Sequence, residues 1–198
     1  VDPNRSGIAG CMGDIGTHAY NLVSYITGLE AIEMCAELNA FVPGRLLDDD
    51  GVAMIRYEEG VKAMLAASQV AVGEENTLFI RIYGEKGGLE WHQEEPNTMI
   101  LKWSDRPKEI VRTSNGYMSP IAQFNSRTPG GHPEGYIEAF ANIYRNFALA
   151  LQCRLVGEEP KSEYLDFPSV DDGVAGMQFV ETVVASSASS TKWIPMIK

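Results

Sequence analysis

The hydrophobic period of the chain changes several times, and each change marks an element. Over 14–27, Ile15, Ala19, Leu22, Val23 and Ile26 recur at helical spacing. Asp14 stands where an N-cap belongs and Gly28 where a C′ glycine belongs, so the spacing predicts a helix between them. Over 31–42 the period falls to two. Ile32, Met34, Ala36 and Leu38 alternate with Glu33, Cys35, Glu37 and Asn39, the pattern of a half-buried strand. Asp48-Asp49-Asp50-Gly51 reads as a turn. Strands follow over 53–57 and 61–70, joined as a hairpin through Glu58-Glu59-Gly60. Four more are expected over 77–83, 89–93, 99–103 and 110–113, with Gly84-Glu85-Lys86-Gly87-Gly88 as the turn between the first two.

From 114 to 135 Gly, Pro, Ser and Asn dominate and no period survives. A loop of that length inside a compact domain is usually functional or mobile. Ile137, Phe140, Tyr144, Phe147, Ala148 and Leu151 then mark a long helix. A third helix opens at Ser169, where Ser-Val-Asp-Asp resembles a capping box with Asp in the place of the usual Glu or Gln. Val170, Val174, Met177 and Val184 carry its apolar stripe, and a short strand over 193–197 ends the chain. Strands clustered together with helices grouped around them predict an α+β fold: an open, mostly antiparallel sheet with helices on one face. Met64, Leu65, Ala66 and Ala67 put apolar groups on both faces of one strand, so the second face calls for a partner.

Composition narrows the classes. A length of 198 residues suits a single domain. No run approaches the roughly 18 apolar residues that a membrane span needs. The start, Val-Asp-Pro-Asn-Arg-Ser-Gly, has neither a Met nor an apolar h-region; it reads as a loop, and the expectation is a chain that begins inside a longer gene product. A net charge of −11 argues against nucleic acid and anionic membrane surfaces as partners. Cys11, Cys35 and Cys153 are odd in number and widely spaced, which predicts free thiols in a reducing, cytoplasmic setting.

The candidate chemistry is in Gly13-Asp14-Ile15-Gly16-Thr17-His18. Asp14 and His18 are four apart and so share a helix face, continued by Asn21 and Tyr25. Gly13 and Gly16 leave room for something to approach. His is the side chain best suited to exchange a proton near neutrality, and an Asp within reach holds its ring and tunes it. The plainer reading of the same residues is an N-cap and a surface histidine. As metal ligands the pair lacks a third partner, so no metal is predicted.

The stretch G-C-M-G-D-I-G-T-H-A-Y-N-L resembles the G-G-x-x-x-D-x-G-x-H-x-x-D/N-L signature that opens the C-terminal domain of Gfo/Idh/MocA oxidoreductases. L-D-D-D-G-V-A-M-I-R-Y-E-E-G-V-K-A, I-R-I-Y-G-E-K-G-G-L-E-W and F-P-S-V-D-D-G-V-A-G-M-Q-F-V-E-T-V-V-A-S-S with K-W-I-P resemble later elements of the same domain, in the same order. The resemblance implies a dihydrodipicolinate-reductase-like C-terminal domain over 1–198, serving substrate binding and oligomerisation. The N-terminal Rossmann domain, with its G-x-G-x-x-G and its catalytic Lys in an E-K-P motif, is absent from this chain. G-C-M-G-D-I-G has the wrong glycine spacing, and no strand precedes it. The resemblance further implies a full-length NAD(P)-dependent dehydrogenase oxidising a secondary hydroxyl of a sugar, anhydrosugar or inositol, with His18 and Asp14 catalytic. NAD or NADP would be bound mainly by the missing domain, and this fragment alone would be inactive and free of cofactor. His132, Trp91, Gln93 and Asn97 are candidate substrate contacts and Tyr136 a candidate nicotinamide contact; each also reads as an ordinary loop, strand-end or packing residue. A homo-dimer or tetramer through the sheet face is expected. The alternative is a non-catalytic dimerisation or binding module that uses the same open face.

Overall fold

The computed structural model describes residues 2–197. The chain divides into two compact units, one formed by Val1–Glu74 with Ser169–Lys198 and the other by Glu75–Pro168. Its strands form two four-stranded sheets, and all pairings are antiparallel. The fold is α+β, as the order of elements predicts. The division into two sheets is new information, because alternation reveals a strand but not its neighbour.

In the first unit the sheet runs β3-β2-β1-β8, with β1 at Ala31–Asn39, β2 at Asp50–Tyr57, β3 at Lys62–Ser68 and β8 at Ile194–Pro195. The β2–β3 hairpin turns through Glu58–Gly60, where Glu59 and Gly60 both take positive φ. One face buries Met34, Ala53, Ile55, Tyr57, Leu65 and Ala67. Two helices cover that face: α2, Thr17–Thr27, and α5, Val170–Ala188. Tyr20 of α2 stacks on Phe179 of α5 with ring centroids 4.6 Å apart, and Phe179 is fully buried. Edge N–H groups of β1 are satisfied by α5: Ser186 Oγ accepts from Ala36 N at 3.0 Å and Ser187 Oγ from Leu38 N at 2.9 Å. Buried backbone donors are rarely left unpaired, so these two serines fix the helix against the strand. On the opposite face Val52, Met54 and Met64 are exposed, Met64 at 90%. That is the uncovered apolar surface that the run 64–67 predicts.

The capping box of α5 is present: Ser169 N donates to Asp172 Oδ2 at 2.7 Å, and Asp172 N to Ser169 Oγ at 3.2 Å. A hydrogen bond from Ser169 Oγ (2.7 Å), and then the one from Ser169 N, hold the Asp172 pKa below its ordinary value. At the other end of the chain the expectation of a loop is corrected, since Pro3–Ser6 makes a short helical turn, α1, capped by Asp2.

In the second unit β4 (Phe79–Tyr83), β5 (Gly87–His92), β6 (Thr98–Trp103) and β7 (Glu109–Arg112) form a simple antiparallel meander. The aperiodic stretch after it hides a helix, α3, Pro120–Phe124. Ser119 caps it and Pro120 opens it, a local signal that hydrophobic period alone passes over. The long helix α4, Tyr136–Leu155, turns its polar side inward. Asn142, Asn146 and Ala150 are buried, whereas Ile137, Phe140, Tyr144 and Phe147 are exposed. The buried amides are well partnered: Asn146 Nδ2 donates to Asn125 Oδ1 at 2.9 Å, and Asn142 Oδ1 accepts from Arg127 Nε at 2.8 Å. Among the described residues no helix is long and apolar enough to cross a membrane.

Candidate active site

The helix bearing Asp14 and His18 begins earlier than the sequence predicts. Residues 11–27 form one continuous helical path, with a π-helical turn, Met12–Gly16, leading into α2. Asp14 is therefore not the N-cap; its N–H donates to Gly10 O at 3.0 Å, inside the helix. Asp48 closes the helix start instead, from the connection between β1 and β2. Its carboxylate accepts from Gly10 N at 2.5 Å, Met12 N at 2.8 Å and Cys11 Sγ at 3.1 Å, and its carbonyl accepts from Cys11 N at 2.9 Å. An anion belongs at a helix N-terminus, where the first N–H groups lack intrahelical partners. The approach is close enough that a Cβ on Gly10 would lie 2.0 Å from Asp48 O. Gly16 has a similar reason, since its Cβ would sit 2.9 Å from Met12 Sδ.

The neighbouring Asp49 is fully buried. Burial opposes its ionisation, but N–H donors of Phe41 (2.8 Å) and Val42 (2.9 Å) and the Arg45 guanidinium (3.4 Å) outweigh that and hold its pKa below the usual value. Asp49 O then accepts from Gln69 N at 2.7 Å, just past the end of β3. The run Asp48–Asp49, expected to be a plain turn, is thus the brace of the helix start. Burial, and then the Asp48 carboxylate, push the Cys11 thiol well up, so it stays protonated and unreactive. Cys11, Cys35 and Cys153 are all free.

On this brace Asp14 and His18 are both exposed, and His18 is not part of the apolar core. Asp14 Oδ2 accepts from Gln69 Nε2 at 3.0 Å. Among the described residues His18 has no side-chain hydrogen-bond partner, so its imidazole is open to solvent or a ligand. The π turn beneath Asp14 is itself a marker, because such turns are rare and recur at functional sites.

The remaining candidates all belong to the second unit. Trp91 is half-buried, and its Nε1 donates to Pro96 O at 3.1 Å. Gln93 N donates to Leu78 O at 2.8 Å. Asn97 is a clamp: its Oδ1 accepts from Glu134 N and Thr113 Oγ1, each at 3.1 Å, and its Nδ2 donates to Glu134 O at 2.7 Å. His132 is exposed, with Nδ1 3.2 Å from Pro129 O. Tyr136 is exposed at the first position of α4 and packs on Phe140 at 4.6 Å. The structure thus joins Asn97 to the loop that carries His132, while the amide of Asn97 is largely engaged internally. Among the described residues no group of three His, Cys, Asp or Glu is placed to hold a metal.

The family profile described as GFO/IDH/MocA C-terminal domain matches residues 1–90. The match assigns the first 90 residues to the GFO/IDH/MocA C-terminal domain. It is 29% identical over 196 residues to the oxidoreductase YfiI of Bacillus subtilis (strain 168), covering 98% of this chain and 50% of that protein. An oxidoreductase structure from Sinorhizobium meliloti is 44% identical with a TM-score of 0.87, over 93% of this chain and 52% of that one. An inositol dehydrogenase homolog from Azotobacter vinelandii, solved with NADH and myo-inositol, is 29% identical with a TM-score of 0.88, over 96% and 51%. The chain spans about half the length of these relatives.

Sequence reasoning misses two features here. Gln69 carries no signal, being one polar residue at a strand end. Glu90 on β5 gathers Arg81 Nε at 3.1 Å, His92 Nε2 at 3.0 Å and Lys102 Nζ on one sheet face; pairing across strands, invisible in one dimension, assembles it. His92 is half-buried there and stacks on Phe79 at 5.5 Å. Hydrogen bonds from Lys102 and then His92 hold the Glu90 pKa at about 2, against an ordinary 4.5. A carboxylate with a depressed folded-state value stabilises fully above its unfolded value and loses that contribution as pH falls through the folded one. The stability difference between the native protein and Glu90→Gln, read from urea midpoints, is therefore expected to be constant above pH 4.5 and to shrink between 4.5 and about 2. A difference that grows on acidification would contradict the network.

Proposed function

We propose that this chain is the substrate-binding, catalytic-histidine half of an NAD(P)-dependent oxidoreductase, which oxidises a secondary hydroxyl of a sugar, anhydrosugar or inositol by hydride transfer. The observation that carries the reading is the exposed pair Asp14 and His18 on one helical path, with the Asp14 carboxylate held from β3's end by Gln69. Similarity to an inositol dehydrogenase homolog solved with NADH and myo-inositol supports the polyol class and the nicotinamide. The length of the relatives, about twice that of this chain, supports a further domain in the full-length protein.

In this reading His18 takes the hydroxyl proton as the C–H bond breaks. A positioned imidazole does this near neutral pH. Asp14 Oδ1, unpartnered among the described residues, accepts either the imidazole N–H or a second substrate hydroxyl. The glycine-flanked helix start does not suit a dinucleotide phosphate. Gly10 N and Met12 N already donate to Asp48, and that carboxylate would repel the phosphate. A nicotinamide cofactor held by the remainder of the full-length protein supplies the hydride acceptor. Trp91, Gln93, His132 and Tyr136 remain candidate contacts from the second unit. A cytoplasmic setting accords with three free thiols.

The uncovered face of the first sheet is assigned to a second copy of the chain. Val52, Met54 and Met64 form its apolar centre, and Glu33, Glu37 and Lys62 lie on the same strands, giving both signs of charge for self-pairing.

In the full-length protein His18→Ala should lower turnover of its best inositol or sugar substrate by roughly 10²–10⁴, with an unchanged thermal midpoint because His18 is exposed. Unaltered turnover removes His18 from the mechanism and favours the non-catalytic binding module. Sedimentation should give an oligomer burying roughly 1,200 Å² or more per contact, converted to monomer by Met64→Lys; a monomeric native protein at high concentration contradicts the assembly. Calorimetric titration of NAD and NADP into the isolated chain should show no micromolar site, and finding one would reassign the domain.

A further inference from the structure

We infer that Gln69 is a positioning residue for Asp14, an inference that rests on the catalytic reading above. Its amide is the only side chain that bonds the Asp14 carboxylate among the described residues, with Nε2 donating to Oδ2 at 3.0 Å. The two are 55 residues apart and belong to different elements, so the bond is not a local turn contact. Each end is anchored independently. Gln69 N donates to Asp49 O, and Asp49 is itself buried and locked by Phe41, Val42 and Arg45. Asp14 N donates to Gly10 O, and Gly10 is wedged against Asp48. The two adjacent acids of the β1–β2 connection therefore fix both partners of one exposed hydrogen bond.

Exposed side chains ordinarily turn freely, and an ordered rotamer costs entropy. Here the bond holds one carboxylate oxygen and leaves the other, Oδ1, without a partner among the described residues. A neutral amide suits the task, because it donates without neutralising the carboxylate and without adding a proton that titrates near neutrality. Gln69 acts through Asp14 and need not touch substrate.

The test uses the full-length protein, with NAD and the inositol or sugar that the native enzyme turns over fastest. Gln69→Leu should lower kcat/KM by roughly 10- to 100-fold, the usual cost of losing a supporting hydrogen bond or misplacing a reacting group. Its thermal midpoint should stay near the native value, because the exposed side chain makes one bond. Gln69→Lys retains a donor and should recover most of the loss. The charge variants give opposite signs. A carboxylate at 69 raises the pKa of its neighbours and an ammonium lowers it, so the acid limb of the kcat/KM profile should move up in Gln69→Glu and down in Gln69→Lys. A side chain that does not reach Asp14 in the working enzyme would move neither limb. Native kcat/KM and unmoved limbs in all three variants, while Asp14→Asn and His18→Ala lose activity, would overturn the role of Gln69 and leave the catalytic pair standing. Native activity in Asp14→Asn and His18→Ala would overturn the catalytic reading itself.

Discussion

The carboxylate of Asp48 meets the first N–H groups of a helix that lies 36 to 38 residues upstream of it. An N-cap normally comes from the residue that precedes the helix, because the side chain must reach the second or third N–H. Here the cap is delivered by tertiary structure, so the helix start forms only when β1 and β2 have paired and brought their connection alongside it. Everything proposed about chemistry sits on that arrangement. It fixes Gly10, which accepts the Asp14 N–H, and its neighbour Asp49 fixes Gln69, which donates to the Asp14 carboxylate. The exposed Asp14 is held through a half-buried acid, Asp48, and a buried one, Asp49.

This dependence explains which parts of the molecule were legible in the sequence. The three long helices follow from period, Gly28 ends α2 in the left-handed region, and Ser169 with Asp172 caps α5 as the local pattern requires. The strands follow from alternation, with Glu58–Gly60 turning the hairpin between β2 and β3. That Asp14 and His18 lie exposed on one helical path was legible because their spacing is local. Asp48, Asp49, Gln69 and Glu90 were not, since each acquires its role from residues brought near by folding. Asp14 as an N-cap was a local inference overridden by such a long-range cap.

The orientation of α4 shows the same limit from another side. Its apolar stripe identifies a helix but does not say which side is buried. Asn125, Arg127 and Asp166 satisfy the amides of Asn142 and Asn146, and the aromatic side is left exposed. Buried amides are tolerated when every donor finds an acceptor, and that accounting belongs to three dimensions. An outward apolar stripe of this size, like the exposed Val52, Met54 and Met64 of the first sheet, is unusual on a protein that works alone.

The central claim is that His18 and Asp14 address the hydroxyl of a polyol. A crystal structure of the full-length protein with reduced nicotinamide cofactor and its best inositol or sugar tests it most directly. The account predicts one hydroxyl oxygen within hydrogen-bond reach of an imidazole nitrogen of His18, roughly 2.6–3.2 Å, with Asp14 bonded to that ring or to a neighbouring hydroxyl and to Gln69. A polyol bound elsewhere, with the imidazole of His18 facing bulk water in the closed complex, would contradict it.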